Sequence, residues 1–207
     1  MRPSAAAVAL AASDPVIAEL VVTYGPCRFG ARPAVDERFA VLAKSICSQQ
    51  LAGAAARTIW GRVQLAVGAP FTPERVLATD EDALRAAGLS RAKLASLRDL
   101  SMHVADGRVD LRRLGSFDDE AVIATLVPVR GIGRWTAEMF CIFALHRLDV
   151  WPVDDLGVRH GYGAAHRLAE MPTRAELAAA GERFRPYRSI AAWYCWRASD
   201  AARRNGA

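Results

Sequence analysis

Signals that start and end helices recur along almost the whole chain, whereas segments with strand-like alternation are scarce. Asp14 and Pro15 pair an N-cap residue with a proline suited to the first helical turn. Ser90 precedes an apolar stripe at helical spacing that stops near Gly107. About ten short helices joined by tight turns predict an all-α fold.

Two further segments carry the side chains of a capping box, in which an N-cap hydroxyl and an acidic residue three positions later satisfy each other's backbone N–H groups. Thr173 with Glu176 is the regular form. Ser116 with Asp119 is interpreted as a variant with Asp in place of Glu. Both pairs predict the start of a helix.

The composition is that of a chain with a buried core, since 52% of the residues are hydrophobic and 24% are charged. These proportions exclude a disordered tail and a fibrous repeat. No apolar run reaches the roughly 18 residues that a membrane-spanning helix needs. Residues 1–13 superficially resemble a signal peptide, but their apolar stretch is short and mostly alanine. We expect a frayed leader or a helix in a cytoplasmic protein.

The positive charge lies in the last quarter of the chain. Residues 1–155 hold 18 acidic and 18 basic side chains, whereas residues 156–207 hold nine arginines and four acidic residues, which gives the whole net charge of +5. A basic quarter on a neutral body suits a polyanion such as nucleic acid. A solvated basic helix face is the alternative.

The four cysteines are far apart, and no two have the C-x-x-C spacing of a metal site. They are Cys27, Cys47, Cys141 and Cys195. This spacing argues against a zinc ribbon and against a cluster held by cysteines.

The most informative segment begins with Gly131-Ile132-Gly133, placed between two predicted helices. Two glycines allow a tight turn whose backbone can approach a ligand closely. The next helix begins near Arg134, so its first N–H groups point to the same place, with Arg134 and Thr136 as added donors. This arrangement is typical of phosphate binding, although turns between helices also use glycine.

Two adjacent carboxylates follow, Asp154 and Asp155, after a proline and directly before another predicted helix. An aspartate at such a position is often an N-cap. A hairpin followed at this distance by a carboxylate is much more specific than either feature alone.

Residues 126–160 resemble the signature of the helix-hairpin-helix DNA glycosylases, a Gly-x-Gly hairpin with a catalytic aspartate about twenty residues on. Gly-Ile-Gly-Arg-Trp-Thr-Ala at 131–137 is similar to the alkylated-base branch, DNA-3-methyladenine glycosylase II. The resemblance covers roughly residues 36–200. Further matches are Ser48-Gln49-Gln50-Leu51, Gly88-Leu89-Ser90 with Lys93, and Arg185-Pro186-Tyr187-Arg188-Ser189.

The resemblance implies that residues 1–207 form a single glycosylase unit, with two helical subdomains flanking a cleft. Residues 36–150 would be the central subdomain, containing the hairpin at about 126–147. Residues 14–35 plus 152–207 would be the second subdomain. An N-terminal β domain, which some members carry, is not expected.

The resemblance also implies a monofunctional enzyme that flips an alkylated purine out of the duplex and hydrolyses its N-glycosidic bond. Aligning Val158 with the family's apolar residue selects Asp155 as the catalytic carboxylate, and Asp154 becomes a neighbour that could cap the helix. Gln50 would fill the gap left in the duplex, with Leu51 sharing the task. The residues implied to contact the flipped base are Trp135, Met139 and Tyr187, and those implied to contact DNA are Gln50, Leu51, Gly131, Gly133, Arg134 and Thr136. Ordinary core packing is the alternative for Leu51, Trp135, Met139 and Tyr187.

Other branches of this superfamily cut the strand through a lysine Schiff base. Trp135 stands where those enzymes carry the lysine, and Lys44 and Lys93 are the only lysines of the chain. We therefore expect no lyase activity. Cys195 stands alone where some relatives have four cysteines, so we expect no iron–sulfur cluster.

No cofactor is required by this interpretation. The resemblance implies a structural Na or K ion at the backbone carbonyls of Val127, Val129 and Ile132. The expected partner is double-stranded DNA containing alkylated bases, acted on by a monomer in the cytoplasm, associated with the nucleoid and with no membrane. The alternatives are a non-catalytic helix-hairpin-helix DNA-binding protein and a helical enzyme that does not act on DNA.

Overall fold

The computed structural model describes residues 2–205 of the chain, and within this range the regular structure is helical throughout. The predicted all-α fold is thereby confirmed. Short 3₁₀ helices at Val35–Glu37, Arg113–Ser116 and Glu182–Phe184 join some of the α-helices. The α-helices are α1 Pro3–Ser13, α2 Pro15–Tyr24, α3 Arg38–Ser48, α4 Gly53–Val67, α5 Pro73–Ala78, α6 Glu81–Ala86, α7 Arg91–Ala105, α8 Asp119–Leu126, α9 Arg134–Phe143, α10 Leu156–Ala165, α11 Arg174–Gly181 and α12 Arg188–Asn205.

The chain divides into two compact units. Pro33–Phe140 is here called the central unit, and Met1–Arg32 with Cys141–Ala207 is called the terminal unit. None of the helices in residues 2–205 combines the length and the apolar character that crossing a membrane requires.

The core of the central unit lies where α3 and α5 pack against α7. The apolar stripe of α7 is buried from Leu94 to Leu100, with Leu97 and Leu100 fully covered, and α3 contributes Leu42 and Ile46. Burial of each such side chain stabilises the fold by about 1.5–3 kcal/mol. Helix α7 is therefore the fixed element on which the hairpin of this unit is built.

The terminal unit is organised around the pair α10 and α12, which pack more extensively on each other than any other helix pair described. Helix α1 packs on α2 and α12 and buries Ala6, Ala7 and Leu10. Residues 3–13 are therefore a packed helix, which agrees with the second of the two expectations for this segment.

The predicted helix starts are confirmed at three positions, where the side chains of Asp14, Ser90 and Thr173 each accept a hydrogen bond from the backbone N–H three residues on. The capping-box prediction at Ser116 is wrong. Asp118 caps α8 instead, accepting from the N–H of Ala121 at 2.7 Å, because it lies directly before the first helical residue.

Candidate active site

The turn between α8 and α9 is the hairpin that the sequence predicts. Two backbone hydrogen bonds close it, from the N–H of Val129 to the carbonyl of Leu126 and from the N–H of Ile132 to the carbonyl of Val129, each 3.0 Å long. Gly131 has a φ of +80°, in the left-handed region that glycine adopts without strain. Ile132 is buried under the turn and anchors it.

Helix α7 fixes the position of this hairpin. A Cβ on Gly131 would lie 2.5 Å from Oγ of Ser96, so no side chain fits there. Three residues along the same face, Asp99 accepts a hydrogen bond from the N–H of Arg130 at 2.7 Å. The turn is therefore held both by close packing and by a charge-assisted hydrogen bond.

A third contact joins the hairpin to the loop that follows α3. Nε2 of Gln49 donates to the carbonyl of Gly131 at 2.8 Å. Nζ of Lys93, on α7, donates to the carbonyl of Cys47 at 2.9 Å, at the end of α3. The next residue in the loop, Gln50, is exposed and has a φ of +57°, uncommon for a residue other than glycine. The loop is anchored on one side and presents Gln50 to solvent.

A cavity of about 410 Å³ opens beside this loop within the central unit. Three of the lining residues are predicted site residues, and the other three, among them Ser48 and Gln49 of the matched segment 48–51, were not predicted to belong to the site. Trp135 exposes 43% of its surface, whereas Thr136 is almost fully buried, 4% exposed. Met139 is half-buried on the same helix as Trp135. The lining residues are Ser45, Ser48, Gln49, Gln50, Trp135 and Thr136.

Arg134 has two acidic partners within the central unit. Its Nη1 donates to Glu120 at 3.0 Å, and its Nε donates to Glu138 at 3.1 Å, one helical turn along α9. The hydrogen bond from Arg134 holds the pKa of Glu120 below its ordinary value. A phosphate at this guanidinium would therefore compete with carboxylates already in place.

Gly133 differs from Gly131 in its surroundings. Its carbonyl accepts the N–H of Ala137 at 3.1 Å, so it is the residue from which α9 starts. No atom lies within 4 Å of the point where a Cβ would stand. The surface at Gly133 is open, as close approach of a DNA phosphate to a helix N-terminus requires.

The carbonyls predicted to hold a monovalent cation belong to the same turn. Val127 is the C-cap of α8, where the last carbonyls of a helix carry partial negative charge. The carbonyl of Val129 accepts from the N–H of Ile132, and a carbonyl oxygen has a second lone pair. This donor set is compatible with a weakly held Na or K ion, which stays a prediction.

In the terminal unit, Asp155 is the N-cap of α10 and its Oδ1 accepts the N–H of Val158 at 2.8 Å. Only 8% of the residue is exposed. Asp154 instead forms a surface ion pair with Arg174. The suggestion that Asp154 caps the helix is wrong, because Asp155 is the residue adjacent to Leu156, the first of α10.

A second donor reaches the same carboxylate. The indole Nε1 of Trp196, on α12, donates to Oδ1 of Asp155 at 2.9 Å. Sequence reasoning missed Trp196, since forty-one positions separate it from Asp155. The available signal was the pair Gly157 and Gly161 on α10, because small residues four apart let another helix approach closely.

Tyr187 directly precedes α12, which begins at Arg188. It is half-buried, and its N–H donates to the carbonyl of Phe184 at 2.7 Å. Eight helical positions separate Arg188, the first residue of α12, from Trp196, which corresponds to about 12 Å along the axis. Tyr187 and Trp196, the partner of Asp155, therefore lie at different levels along the axis of α12.

Among the described residues, no group of three or more histidine, cysteine, aspartate or glutamate side chains could hold a metal ion. Burial raises the pKa of the Cys195 thiol, and the residue is 3% exposed. A thiol held in its protonated form is a poor ligand for iron.

Comparison with known proteins agrees with this geometry. The model of the HhH-GPD superfamily of base excision DNA repair proteins matches residues 43–186. DNA-3-methyladenine glycosylase 1 of Schizosaccharomyces pombe is 35% identical over 189 residues, which are 90% of this chain and 82% of that protein.

Two solved structures extend the likeness to the fold. One is the 3-methyladenine DNA glycosylase of Schizosaccharomyces pombe in complex with abasic DNA, with a TM-score of 0.82, 34% identity, and coverage of 93% of this chain and 95% of that chain. The other is the DNA-3-methyladenine glycosidase of Bacillus halodurans, with a TM-score of 0.87, 33% identity, and coverage of 99% and 95%. The predicted helix-hairpin-helix glycosylase fold is confirmed. Because the family model spans more than half of its length, the chain belongs to the HhH-GPD superfamily of base excision DNA repair proteins.

Proposed function

We propose that the chain is a monofunctional DNA glycosylase, a DNA-3-methyladenine glycosylase II, that hydrolyses the N-glycosidic bond of 3-methyladenine and related alkylated purines and leaves an abasic site. The observation that carries the proposal is Asp155, a carboxylate only 8% exposed and held by the N-terminus of α10, in a chain of this family. The 35% identity to a DNA-3-methyladenine glycosylase supports the substrate class.

Asp155 would stabilise the charge that develops during the reaction. Breaking an N-glycosidic bond builds positive charge on the sugar. A carboxylate about 4 Å from that charge stabilises it by about 4 kcal/mol at an effective dielectric constant near 20. This corresponds to roughly a thousandfold in rate. The same carboxylate can orient or deprotonate the attacking water. A purine alkylated at a ring nitrogen is cationic, so it leaves without a dedicated general acid.

The central unit would bind the DNA. Flipping the damaged nucleotide costs a few kcal/mol of stacking, which a side chain inserted into the duplex offsets. The anchored loop with exposed Gln50 and half-buried Leu51 supports this role. The open surface at Gly133, at the start of α9, supports a phosphate contact. The exposed face of Trp135 is suited to stacking on an electron-poor base.

A lyase step through a Schiff base is not part of the proposal. Lys44 and Lys93 are the only lysines, and Nζ of Lys93 donates to the carbonyl of Cys47. Arginine is too basic to replace lysine as the nucleophile. Hydrolysis by water is therefore the reaction that this set of side chains supports.

The substrate would be duplex DNA that contains alkylated bases, and the enzyme would act on it as a monomer, at the nucleoid in the cytoplasm. The enzyme would carry no iron–sulfur cluster. A monovalent cation, if bound, would be held by the backbone carbonyls of Val127, Val129 and Ile132 and would supply positive charge for a DNA phosphate.

The test compares two neighbouring carboxylates. Asp155→Asn keeps an N-cap residue but removes the charge, so we expect DNA binding to be retained and base excision to fall by about a thousandfold. Asp154→Asn is the matched control, since Asp154 pairs with Arg174 on the surface, and near wild-type excision is expected from it. Wild-type activity in Asp155→Asn would refute the assignment of the catalytic residue.

A further inference from the structure

We infer that Trp196 is a positioning residue that holds the carboxylate of Asp155 in one orientation, an inference that rests on the proposed function. Trp196 and Asp155 both lie in the terminal unit, on α12 and at the start of α10. The role is to fix the direction in which the carboxylate points, while Asp155 remains the catalytic residue.

Two donors meet on one oxygen of this carboxylate. The backbone N–H of Val158 lies 2.8 Å from Oδ1 of Asp155, and the indole Nε1 of Trp196 lies 2.9 Å from the same atom. One donor belongs to α10 and the other to α12, so rotation of the carboxyl group would break at least one bond. Hydrogen bonds to an ionised carboxylate are about twice as strong as neutral ones.

Gly157 leaves the space in which this contact forms. A Cβ at this position would lie 2.9 Å from Cδ1 of Trp196 and 3.0 Å from Oδ1 of Asp155. Gly157 lies within α10, where alanine is the better helix former, so helix propensity does not explain a glycine here. The glycine is explained if the indole and the carboxylate must approach each other.

Helices α10 and α12 contact each other on both sides of Trp196. A methyl group at Gly161 would overlap the backbone carbonyl of Cys195, so α10 and α12 are in backbone contact at the residue before Trp196. Three residues after it, the hydroxyl of Ser199 and Nδ1 of His160 share a hydrogen bond of 3.0 Å. The backbone that carries the indole of Trp196 is therefore held in place against α10.

Aromatic rings also hold the indole. The ring of Phe143 lies 5.5 Å from that of Trp196, centroid to centroid, with 30° between the planes. Phe29 meets Phe143 edge-on at 5.9 Å. A phenylalanine at position 196 would keep an aromatic ring in this cluster and lose only the N–H donor and part of the packing area.

The first experiment uses Trp196→Phe, with Trp193→Phe on the same helix as the matched control. The ring of Trp193 lies under the guanidinium of Arg197 at 5.3 Å. Single-turnover release of bases from methylated duplex DNA gives the chemical rate, and DNA titration gives the affinity. Loss of a hydrogen bond to a charged group predicts roughly tenfold to a hundredfold slower excision in Trp196→Phe. DNA affinity is expected to stay within about twofold, and Trp193→Phe to match the wild type.

The same assay separates positioning from direct contact with the base. A residue that acts through Asp155 slows the release of 3-methyladenine and 7-methylguanine by the same factor, whereas a residue that stacks on the base changes their ratio. Gly157→Ala gives an independent variant, expected to slow excision at least tenfold because the added methyl group separates Trp196 from Asp155. Gly163→Ala, whose Cβ would lie no closer than 3.4 Å to any atom, is its control.

The outcomes distinguish this inference from the function on which it rests. No base release by the wild type would overturn both. A wild type that releases bases, with Trp196→Phe or folded Gly157→Ala equally fast, would overturn the positioning role alone. Slower release with a changed ratio of the two bases would also overturn it, since the indole would then contact the base itself.

Discussion

Alanine in place of each hairpin glycine is expected to have a different effect: at Gly131 it should lower the stability, and at Gly133 it should weaken DNA binding. In Gly131→Ala, the residue must keep a φ of +80°, which costs about 1–2 kcal/mol for a residue with a Cβ. The new Cβ would also lie 2.5 Å from Oγ and 2.9 Å from Cβ of Ser96, an overpacking that costs about 1–3 kcal/mol. The predicted loss in free energy of unfolding is therefore about 2–5 kcal/mol.

Gly133→Ala is the matched control for stability. No atom lies within 4 Å of its Cβ position, and alanine in place of glycine at a helix N-cap costs at most about 1 kcal/mol. Because the DNA phosphate is proposed to approach the backbone at Gly133, this variant should bind DNA more weakly while it stays nearly as stable as the wild type.

Urea unfolding with linear extrapolation measures the first effect, and DNA titration measures the second. Adding Ser96→Gly to Gly131→Ala removes the overlapping atoms but not the strain at φ, so the two changes should be non-additive by about 1–3 kcal/mol. Two results would refute the argument that α7 positions the hairpin. One is a Gly131→Ala protein whose free energy of unfolding falls by less than about 1 kcal/mol. The other is strict additivity of the effects of Gly131→Ala and Ser96→Gly.

Two further predictions concern titratable groups of the fold. Burial and the neighbouring charge of Arg183 lower the pKa of His166, so the folded protein binds this proton less readily than the unfolded chain. Stability should therefore be full above about pH 6.5 and fall as the pH decreases below it, and His166→Gln should weaken the dependence measured by urea unfolding at pH 7.5 and 5.5. An unchanged dependence in that variant would contradict this reasoning. Burial raises the pKa of Cys27 and of Cys47 to about 12, so a colorimetric thiol reagent at neutral pH should label the native protein slowly and all four cysteines after unfolding. Rapid labelling of the native protein would show that these thiols are accessible.

Local signals predicted the helices well. An N-cap residue and the helix that follows are adjacent in the chain, so Asp14, Ser90 and Thr173 could be recognised from a few residues. The same signals failed where two candidates stood close together. Asp118 caps α8 although the spacing favours Ser116, and Asp155 caps α10 although Asp154 is also available as a cap. Spacing alone does not decide which of two neighbouring polar residues adopts the extended N-cap conformation.

The sequence pattern could not predict contacts between segments that are far apart in the chain. The hydrogen bond from Gln49 to the carbonyl of Gly131 spans 82 positions, and Ser96 meets Gly131 through packing rather than through a motif. Trp196 was missed for the same reason, since its partner is Asp155 on another helix. These contacts depend on how whole helices pack, whereas hydrophobic periodicity reports only which face of a helix is buried.

The measurement that tests the central claim most directly is the release of free bases from methylated duplex DNA by the wild type and by Asp155→Asn side by side. Release of methylated purines by the wild type, with a loss of about a thousandfold in Asp155→Asn and unchanged DNA binding, is the predicted result. Equal release by both proteins would contradict the role of Asp155. No release by either, with DNA binding that still weakens as salt is added, would contradict catalysis and favour a non-catalytic DNA-binding protein.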